Sequence, residues 1–310
     1  ALPIFISIAH AQTWPSRAIT IVAPGAAGGT TDLVGRLLAD GLTKDFGHPV
    51  IVENKAGAAT NIGNRYVARS QPDGYTLLVG AATLAINPAI YSDLGYEPQR
   101  DLAPVRLLVR APNVIVVAPS APAANVRELI NWARAQPGKL NYANPGVGTS
   151  VHMSAELFKS MTGTDIAGVP YKGSGQAVTA VLSGESQMTF ETIMLVMPQV
   201  KSAKLRALAV TSAKRAAALP DVPSVGESGL ADYEVNPWFG ILAPAATPGN
   251  IVRTLDDASR RVFANAELRA RLHAMGAEAA GEGADAFRAH IRGESLKWAA
   301  LAKKANIRAD

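Results

Sequence analysis

Two glycine-rich segments of the chain have the composition of an anion-binding loop. Pro24 to Asp32 (PGAAGGTTD) follows a β-branched run, Asn144 to Ser150 (NPGVGTS) follows Leu140 to Ala143, and each leads into a helical pattern through hydroxyl-bearing residues that could serve as N-caps. Glycine lets backbone N–H groups face a ligand, and the free N–H groups of a first helical turn carry partial positive charge. Together the segments predict a site for a small anion such as a dicarboxylate. For either segment alone, a tight strand-to-helix turn without a ligand is the alternative.

A third segment of this kind is Val169 to Gly175 (VPYKGSG), which again precedes a helical pattern. The first segment is not a nucleotide-binding motif, because no lysine follows its glycines as in a Walker A loop and its spacing does not meet GxGxxG. We therefore do not expect binding of a nucleoside triphosphate or a dinucleotide.

Residues for catalysis or metal binding are sparse. The chain has no cysteine, which removes disulfides, thiolate metal sites and thiol nucleophiles. His152 and Glu156 have the i, i+4 spacing of two metal ligands, but no third ligand lies nearby in the sequence. Gly226 to Gly229 (GESG) differs from a nucleophile elbow because its last glycine comes one place early. We expect no catalytic residue, no metal and no cofactor; a hydrolase in which His152 is catalytic is the alternative.

The composition is that of a globular protein large enough for two lobes. The chain has 310 residues, of which 48% are hydrophobic and 18% charged, and a single core stops growing efficiently near roughly 250–300 residues. A cleft between two lobes is therefore expected. The net charge of +5 comes from scattered basic residues without a basic stripe, so a nucleic-acid partner is not expected.

The first residues differ in character from the rest. Ala1 to Ala9 (ALPIFISIA) is an apolar run, and Ala9-His10-Ala11 fits the small-x-small cleavage rule. This pattern predicts that residues 1–11 are the remnant of a secretory signal peptide, with a mature chain beginning at Gln12 or Thr13 and located in the periplasm. An N-terminal strand is the alternative. No later stretch reaches the roughly 18 apolar residues of a membrane span.

The elements that must position the loops alternate between strands and helices, which predicts an α/β fold. The strand-like runs are mostly apolar throughout, as in parallel strands covered on both faces; they cover residues 18–23, 50–53, 75–79, 114–118, 140–143, 188–190, 205–210 and 239–243. Two proline-bearing segments show neither the strand nor the helix periodicity: Tyr96 to Pro104 and Leu219 to Val225. We interpret them as crossovers between the two lobes. The first lobe would contain residues 12–104 and 219–310 and the second residues 105–218, joined as a hinge. A single sheet with two long loops is the alternative.

At the level of whole motifs, the sequence resembles the Bug, or TctC, family of substrate-binding receptors of tripartite tricarboxylate transporters. The resemblance covers nearly the whole mature chain, and it depends on the order and spacing of several motifs together. It rests on these motifs: Trp14 to Arg17 (WPSR), Pro24 to Asp32, Val52 to Ala58 (VENKAGA), Gln71 to Leu78 (QPDGYTLL), Gly146 to Thr149 with His152, Val169 to Gly173 (VPYKG), Leu205 to Thr211 (LRALAVT), Leu219 to Pro223 (LPDVP) and Trp238 to Pro244.

The resemblance implies a two-lobed Venus-flytrap receptor of the type II binding-protein fold, each lobe a mostly parallel sheet flanked by helices. It would be a monomer that closes on a small carboxylate (a dicarboxylate, an acidic amino acid or an aromatic carboxylate) and delivers it to a two-component membrane permease. Backbone amides, hydroxyls and water would hold the carboxylate. A sensory receptor feeding a membrane signalling system is the alternative.

The resemblance also implies which residues surround the ligand, while Asp32 and His152 are interpreted as organisers of the first and second loops. The expected ligand-binding residues are Gly25, Ala26, Ala27, Gly28, Gly29, Thr30, Thr31, Ala82, Thr83, Gly146, Val147, Gly148, Thr149, Ser150, Lys172, Gly173, Ser174, Phe190, Glu191 and Thr192.

Overall fold

Two β-sheets flanked by helices form the protein in a computed structural model that describes residues 14–309. The predicted signal-peptide remnant and the predicted mature start at Gln12 or Thr13 lie outside the described residues. The strands are β1 (Ile19–Ala23), β2 (Val50–Asn54), β3 (Thr76–Ala81), β4 (Leu102–Arg110), β5 (Asn113–Val117), β6 (Leu140–Asn144), β7 (Ile166–Pro170), β8 (Met188–Thr192), β9 (Arg206–Val210), β10 (Trp238–Pro244) and β11 (Glu278–Ala279).

The helices follow most strands directly, as expected for an α/β chain. They are α1 (Thr30–Phe46), α2 (Asn61–Ala68), α3 (Thr83–Ile86), α4 (Pro98–Asp101), α5 (Val126–Ala135), α6 (Ser150–Thr162), α7 (Ser174–Leu182), α8 (Ile193–Lys201), α9 (Gly249–Ala264), α10 (Ala266–Ala274) and α11 (Ala284–Lys304), and a short 3-10 turn covers Asn87–Ala89.

The two sheets are mixed, with most strands in one direction. The first sheet has the order β11-β4-β10-β3-β1-β2 and the second β7-β6-β8-β5-β9. Strands β1, β2 and β3 are mutually parallel, as are β6, β7 and β8. Strand β10 runs antiparallel to both β3 and β4, and β5 runs antiparallel to both β8 and β9. The predicted two-sheet α/β fold is confirmed, and β5, β10 and β11 are the strands that oppose the common direction.

The chain changes sheets later than the interpreted crossovers. Residues 105–110 belong to β4, which pairs with β10 in the first sheet, so the chain enters the second sheet between Arg110 and Asn113. On the return, Ser224 forms a bridge with Val210 at the edge of the second sheet. The predicted boundaries after residues 104 and 218 therefore precede the last residues that pair with the sheet being left, because strand pairing, and not proline content, decides which sheet a segment joins.

Local sequence signals explain why the helices form where they do. Leu38 and Leu42 on α1 are fully buried, as their helical spacing predicts. At α5, the Asn125 side chain accepts a hydrogen bond from the Glu128 amide (2.9 Å), and the Glu128 carboxylate accepts one from the Ala124 amide (2.6 Å). This reciprocal arrangement satisfies N–H groups that have no partner within the helix and fixes the start of α5.

Candidate functional site

Loops from both sheets surround one cavity of about 490 Å³. Because β1, β2 and β3 are parallel, the loops that follow them emerge at one edge of the first sheet, and the loops after β6, β7 and β8 emerge at one edge of the second. The lining residues are Pro24 to Ala27, Gly29 to Thr31, Ala56 to Thr60, Ala81 to Thr83, Tyr91, Pro145 to Val147, Thr149 to Val151, Tyr171 to Gly175, Glu191, Thr192, Pro237, Phe239 and Ala309.

The first glycine-rich loop turns directly into α1 without a side-chain cap. Gly28 adopts a left-handed conformation (φ +76°), and the Gly29 amide donates to the Ala26 carbonyl (3.0 Å). Gly29, not a hydroxyl-bearing residue, occupies the N-cap position of α1. The first-turn N–H groups of a helix have no intrahelical partner, so the amides of Thr30 and Thr31 are available at the wall of the cavity.

The other two loops differ in how their helices begin. Thr149 caps α6 as predicted, since its hydroxyl oxygen accepts a hydrogen bond from the His152 amide (3.3 Å). At α7 the N-cap is Gly173, and again no side chain caps the helix. Three helix N-termini therefore meet one cavity, and two of them lack the side-chain partner that usually satisfies their N–H groups. Such an arrangement favours an anionic ligand.

The loops of the two sheets touch each other across the cavity. A Cβ added to Gly173 would lie 3.0 Å from the Ala26 side chain. The Tyr91 hydroxyl donates to the Val147 carbonyl (3.2 Å). Gly148 has φ +91°, and a Cβ there would lie 2.6 Å from the Asn87 side chain, so this position requires glycine for both conformation and space. A ligand in the cavity would thus contact both sheets.

Charged side chains are almost absent from the cavity wall. Among the lining residues within 14–309, only Lys172 and Glu191 have a basic or an acidic side chain. Lys172 is exposed, whereas Glu191 is fully buried. Burial raises the pKa of the Glu191 carboxyl, although the Thr192 amide and the Ser174 and Thr192 hydroxyls act in the opposite direction. The cavity therefore offers a ligand backbone dipoles and hydroxyls instead of an arginine or lysine pair.

Most of the predicted ligand-binding residues lie together at this cavity, and three do not. Gly28 and Gly148 lie behind its wall, where they shape the loops. Phe190, predicted to line the pocket, is instead packed in the core with ring centroids 5.5 Å from Phe158 and 6.3 Å from Tyr142. The reason is the pleat of β8, which sends neighbouring side chains to opposite faces and so directs Glu191 to the cavity and Phe190 away from it.

The two residues interpreted as loop organisers act in different ways. Asp32 Oδ2 accepts hydrogen bonds from the Gly28 amide (2.9 Å) and from Arg36 Nε (3.0 Å), which ties the first loop to α1. Burial alone would raise the pKa of Asp32, but hydrogen bonds from Arg36, Gly28 and Asn54 outweigh it and hold the pKa below its ordinary value. The His152 backbone amide donates to the Thr149 hydroxyl of the second loop, while the buried ring of His152 lies beside Tyr142.

Replacing Asp32 by asparagine should lower the free energy of unfolding by about 1–2 kcal/mol at pH 7, because the variant loses a charged partner of Arg36 and of the α1 N-terminus. The folded-state pKa of Asp32 lies below the unfolded value of 3.8. The wild-type advantage is therefore complete above about pH 4 and disappears as the pH falls through the folded pKa. Urea unfolding from pH 7 downwards measures it. Asp257→Asn, with a side chain 57% exposed, is the control; an equal effect there, or a pH-independent difference, would contradict the assignment.

Within the described residues, the geometry supports neither a hydrolase with a catalytic His152 nor a metal site at His152 and Glu156. Glu156 accepts hydrogen bonds from the Tyr142 hydroxyl (2.8 Å) and from Lys159 (2.7 Å), so it is already engaged. No group of three potential metal ligands occurs within residues 14–309. Ser228 of the GESG segment donates to the Ser224 carbonyl (2.9 Å) and does not line the cavity.

Sequence reasoning missed several parts of the wall, above all the loop after β2. Ala58, Ala59 and Thr60 in this loop all have positive φ, and the Thr60 hydroxyl donates to Thr83 Oγ1 (2.7 Å). The run Ala56 to Ala59 (AGAA) resembles the first loop in composition and also follows a parallel strand, which was the available signal. Tyr91 and Ala309 were not signalled by any local pattern, whereas Tyr171 lies within the third segment, Val169 to Gly175.

Comparison with known proteins agrees with this geometry. Residues 34–307 match the family described as tripartite tricarboxylate transporter family receptor. The chain belongs to this family. Three solved structures resemble it closely. Rpa4515 from R. palustris, solved with adipate, is 35% identical, with 95% of this chain and 99% of that chain covered and a TM-score of 0.92. The periplasmic binding protein BugD is 35% identical, with 95% and 99% covered and a TM-score of 0.91.

MatC from Rhodopseudomonas palustris, solved with bound malate, is 30% identical, with 93% of this chain and 99% of that chain covered and a TM-score of 0.87. The tricarboxylate transporter receptor family is a family of periplasmic binding proteins and not of enzymes. Within residues 14–309, no helix combines the length and apolar character needed to cross a bilayer.

Proposed function

We propose that this protein captures a small dicarboxylate between two lobes in the periplasm and delivers it to a two-component membrane permease. The observation that carries the proposal is the convergence of α1, α6 and α7 on a cavity that has no arginine in its wall. A carboxylate held there would accept hydrogen bonds from backbone amides and hydroxyls, which are already oriented and need no counter-ion. The ligands of the relatives, adipate and malate, are dicarboxylates.

The proposed mechanism is hinge closure. Each sheet with its helices is taken as one lobe, and the ligand contributes contacts to both lobes only when the loops approach each other as Gly173 and Ala26 do. Because a ligand shifts a conformational equilibrium by its differential affinity, binding would favour the closed form. The closed receptor, acting as a monomer, is the form that the permease would recognise. The predicted ligand-binding residues that line the cavity are proposed to contact this ligand.

A thermal-shift screen of protein refolded to remove any co-purified ligand tests the proposal. Succinate, malate and adipate are compared with tricarboxylates, acidic amino acids and aromatic carboxylates. A ligand at 100 times its Kd stabilises the folded protein by about 2.7 kcal/mol, which should raise Tm by roughly 5–10 °C. Acetate and propionate, which cannot reach both lobes, are the controls and should shift Tm less. A panel without any shift, or equal shifts from monocarboxylates, contradicts the proposal.

A further inference from the structure

Glu191 is the one buried acid in the wall of the cavity within residues 14–309. Glu191 is the next-to-last residue of β8 in the second sheet, and its side chain is fully buried. Oε1 accepts a hydrogen bond from the Thr192 amide (2.8 Å). Oε2 is buried and has no partner in hydrogen-bond geometry among the described residues, although the Ser174 and Thr192 hydroxyls lie near enough to the carboxyl to lower its pKa. A buried polar atom without a partner is costly, so a lone Oε2 at a ligand cavity indicates that the ligand supplies the partner.

The surroundings of Glu191 do not supply a compensating positive charge. Strands β5 and β6 and helix α7, which pack against or beside β8, contain no charged residue. On α6, Lys159 pairs with Glu156 (2.7 Å), and His152 is buried with its pKa lowered by that burial. On α8, Lys201 donates to the Ala274 carbonyl (3.0 Å).

The remaining titratable residues of the wall are Tyr91, Tyr171 and the exposed Lys172. An ionised carboxylate without a paired cation is strongly disfavoured in such a site, and burial correspondingly raises the pKa of Glu191.

We propose that Glu191 determines ligand class by binding as a neutral acid, donating a hydrogen bond from Oε2 to an oxygen of the ligand's carboxylate. This inference rests on the proposed function and adds the chemistry of one contact. Since Oε1 already accepts from the Thr192 amide, the proton of the neutral acid resides on Oε2, the oxygen without a partner in hydrogen-bond geometry. An ammonium group at the same place would require the ionised form of Glu191. The receptor therefore prefers plain or hydroxylated dicarboxylates to amino dicarboxylates of the same length.

Two variants separate the hydrogen bond from the charge. In Glu191→Gln the amide oxygen keeps the contact with the Thr192 amide, and the NH₂ group replaces the Oε2 proton as donor. In Glu191→Leu the volume is similar and the donor is gone. Isothermal titration at pH 6 with the dicarboxylate that gives the largest thermal shift should show a Kd for Glu191→Gln within about threefold of wild type, and a Kd for Glu191→Leu at least tenfold weaker. Melting of the unliganded variants checks that each is folded.

A matched ligand pair and a pH series complete the test. The wild type should bind succinate more tightly than aspartate. Between pH 6 and pH 9 the wild-type affinity for succinate should not rise, and any fall should be at most about tenfold per pH unit for a single proton. The affinity of Glu191→Gln for succinate should stay level.

Three results would overturn the inference: a tenfold loss in Glu191→Gln at pH 6, tighter binding of aspartate than of succinate, or a pH-dependent fall that persists in Glu191→Gln. If no carboxylate binds the wild type, the proposed function fails instead, so the two failures are distinguishable.

Discussion

Replacing Gly29 by valine should weaken dicarboxylate binding by at least about a hundredfold while the protein remains folded. Gly29 is the N-cap of α1, and its backbone is extended (φ −79°, ψ 172°), a conformation that valine adopts readily. An added Cβ would lie 3.0 Å from the Ala26 carbonyl oxygen, so the isopropyl group would push apart the loop that lines the cavity at the start of α1. Loss of one or two hydrogen bonds to a charged carboxylate costs about 3 kcal/mol, which is a hundredfold or more in Kd.

Isothermal titration of Gly29→Val against the wild type measures this effect. The matched control is Gly293→Val on α11, where an added Cβ meets no atom within 4 Å and which does not line the cavity. The control should bind with wild-type affinity. A Gly29→Val protein that also binds with wild-type affinity would show that the N-terminus of α1 does not contact the ligand.

Replacing Trp238 by alanine should cost about 3–5 kcal/mol of unfolding free energy, the range for removing a fully buried aromatic side chain. Trp238 begins β10, is completely buried and packs edge-on against Phe287 with ring centroids 5.3 Å apart. Because α11 carries Phe287 and His290, the variant loses ring contacts that help to hold this helix on the first sheet. Tm should fall by roughly 6–20 °C for a domain of this size.

Leu296→Ala is the control for Trp238→Ala, since Leu296 lies on α11, the helix whose Phe287 packs against Trp238, with 76% of its surface exposed. It should change the unfolding free energy by less than about 0.5 kcal/mol. Differential scanning calorimetry and urea unfolding measure both variants. A loss smaller than about 1 kcal/mol in Trp238→Ala would mean that the first sheet and α11 are held together elsewhere.

Periodicity and local capping signals predicted most of the strands and the principal loops, but not β4, β7 or β11. The helical spacing of Leu38 and Leu42 and the capping box of Asn125 and Glu128 depend on residues a few places apart, and the structure confirms both. The two glycine-rich loops were predicted for the same reason, since a strand, a glycine-rich bend and a helix start are all local. These loops then lie at one cavity because parallel strands send their following loops to the same edge.

Features that depend on distant partners were not predictable in this way. Whether Phe190 or Glu191 faces the cavity depends on the register of β8 against β5, which no local pattern specifies. The passage into the second sheet after Arg110 depends on the pairing of β4 with β10, more than a hundred residues later in the chain. The loop of Ala58 to Thr60 reaches the cavity through three consecutive positive φ angles on non-glycine residues, which the sequence of small side chains permits but does not require.

The scarcity of fixed charge around the cavity affects how ligand binding responds to dissolved salt. Attraction between exposed ions is screened over about 8 Å at physiological ionic strength and over about 3 Å at 1 M. The backbone amides at the start of α1, where Thr30 and Thr31 are buried, would act on a bound carboxylate at short range and are much less affected by dissolved salt. Ligand affinity in the proposed receptor should therefore depend less on ionic strength than it would in an arginine-lined cleft.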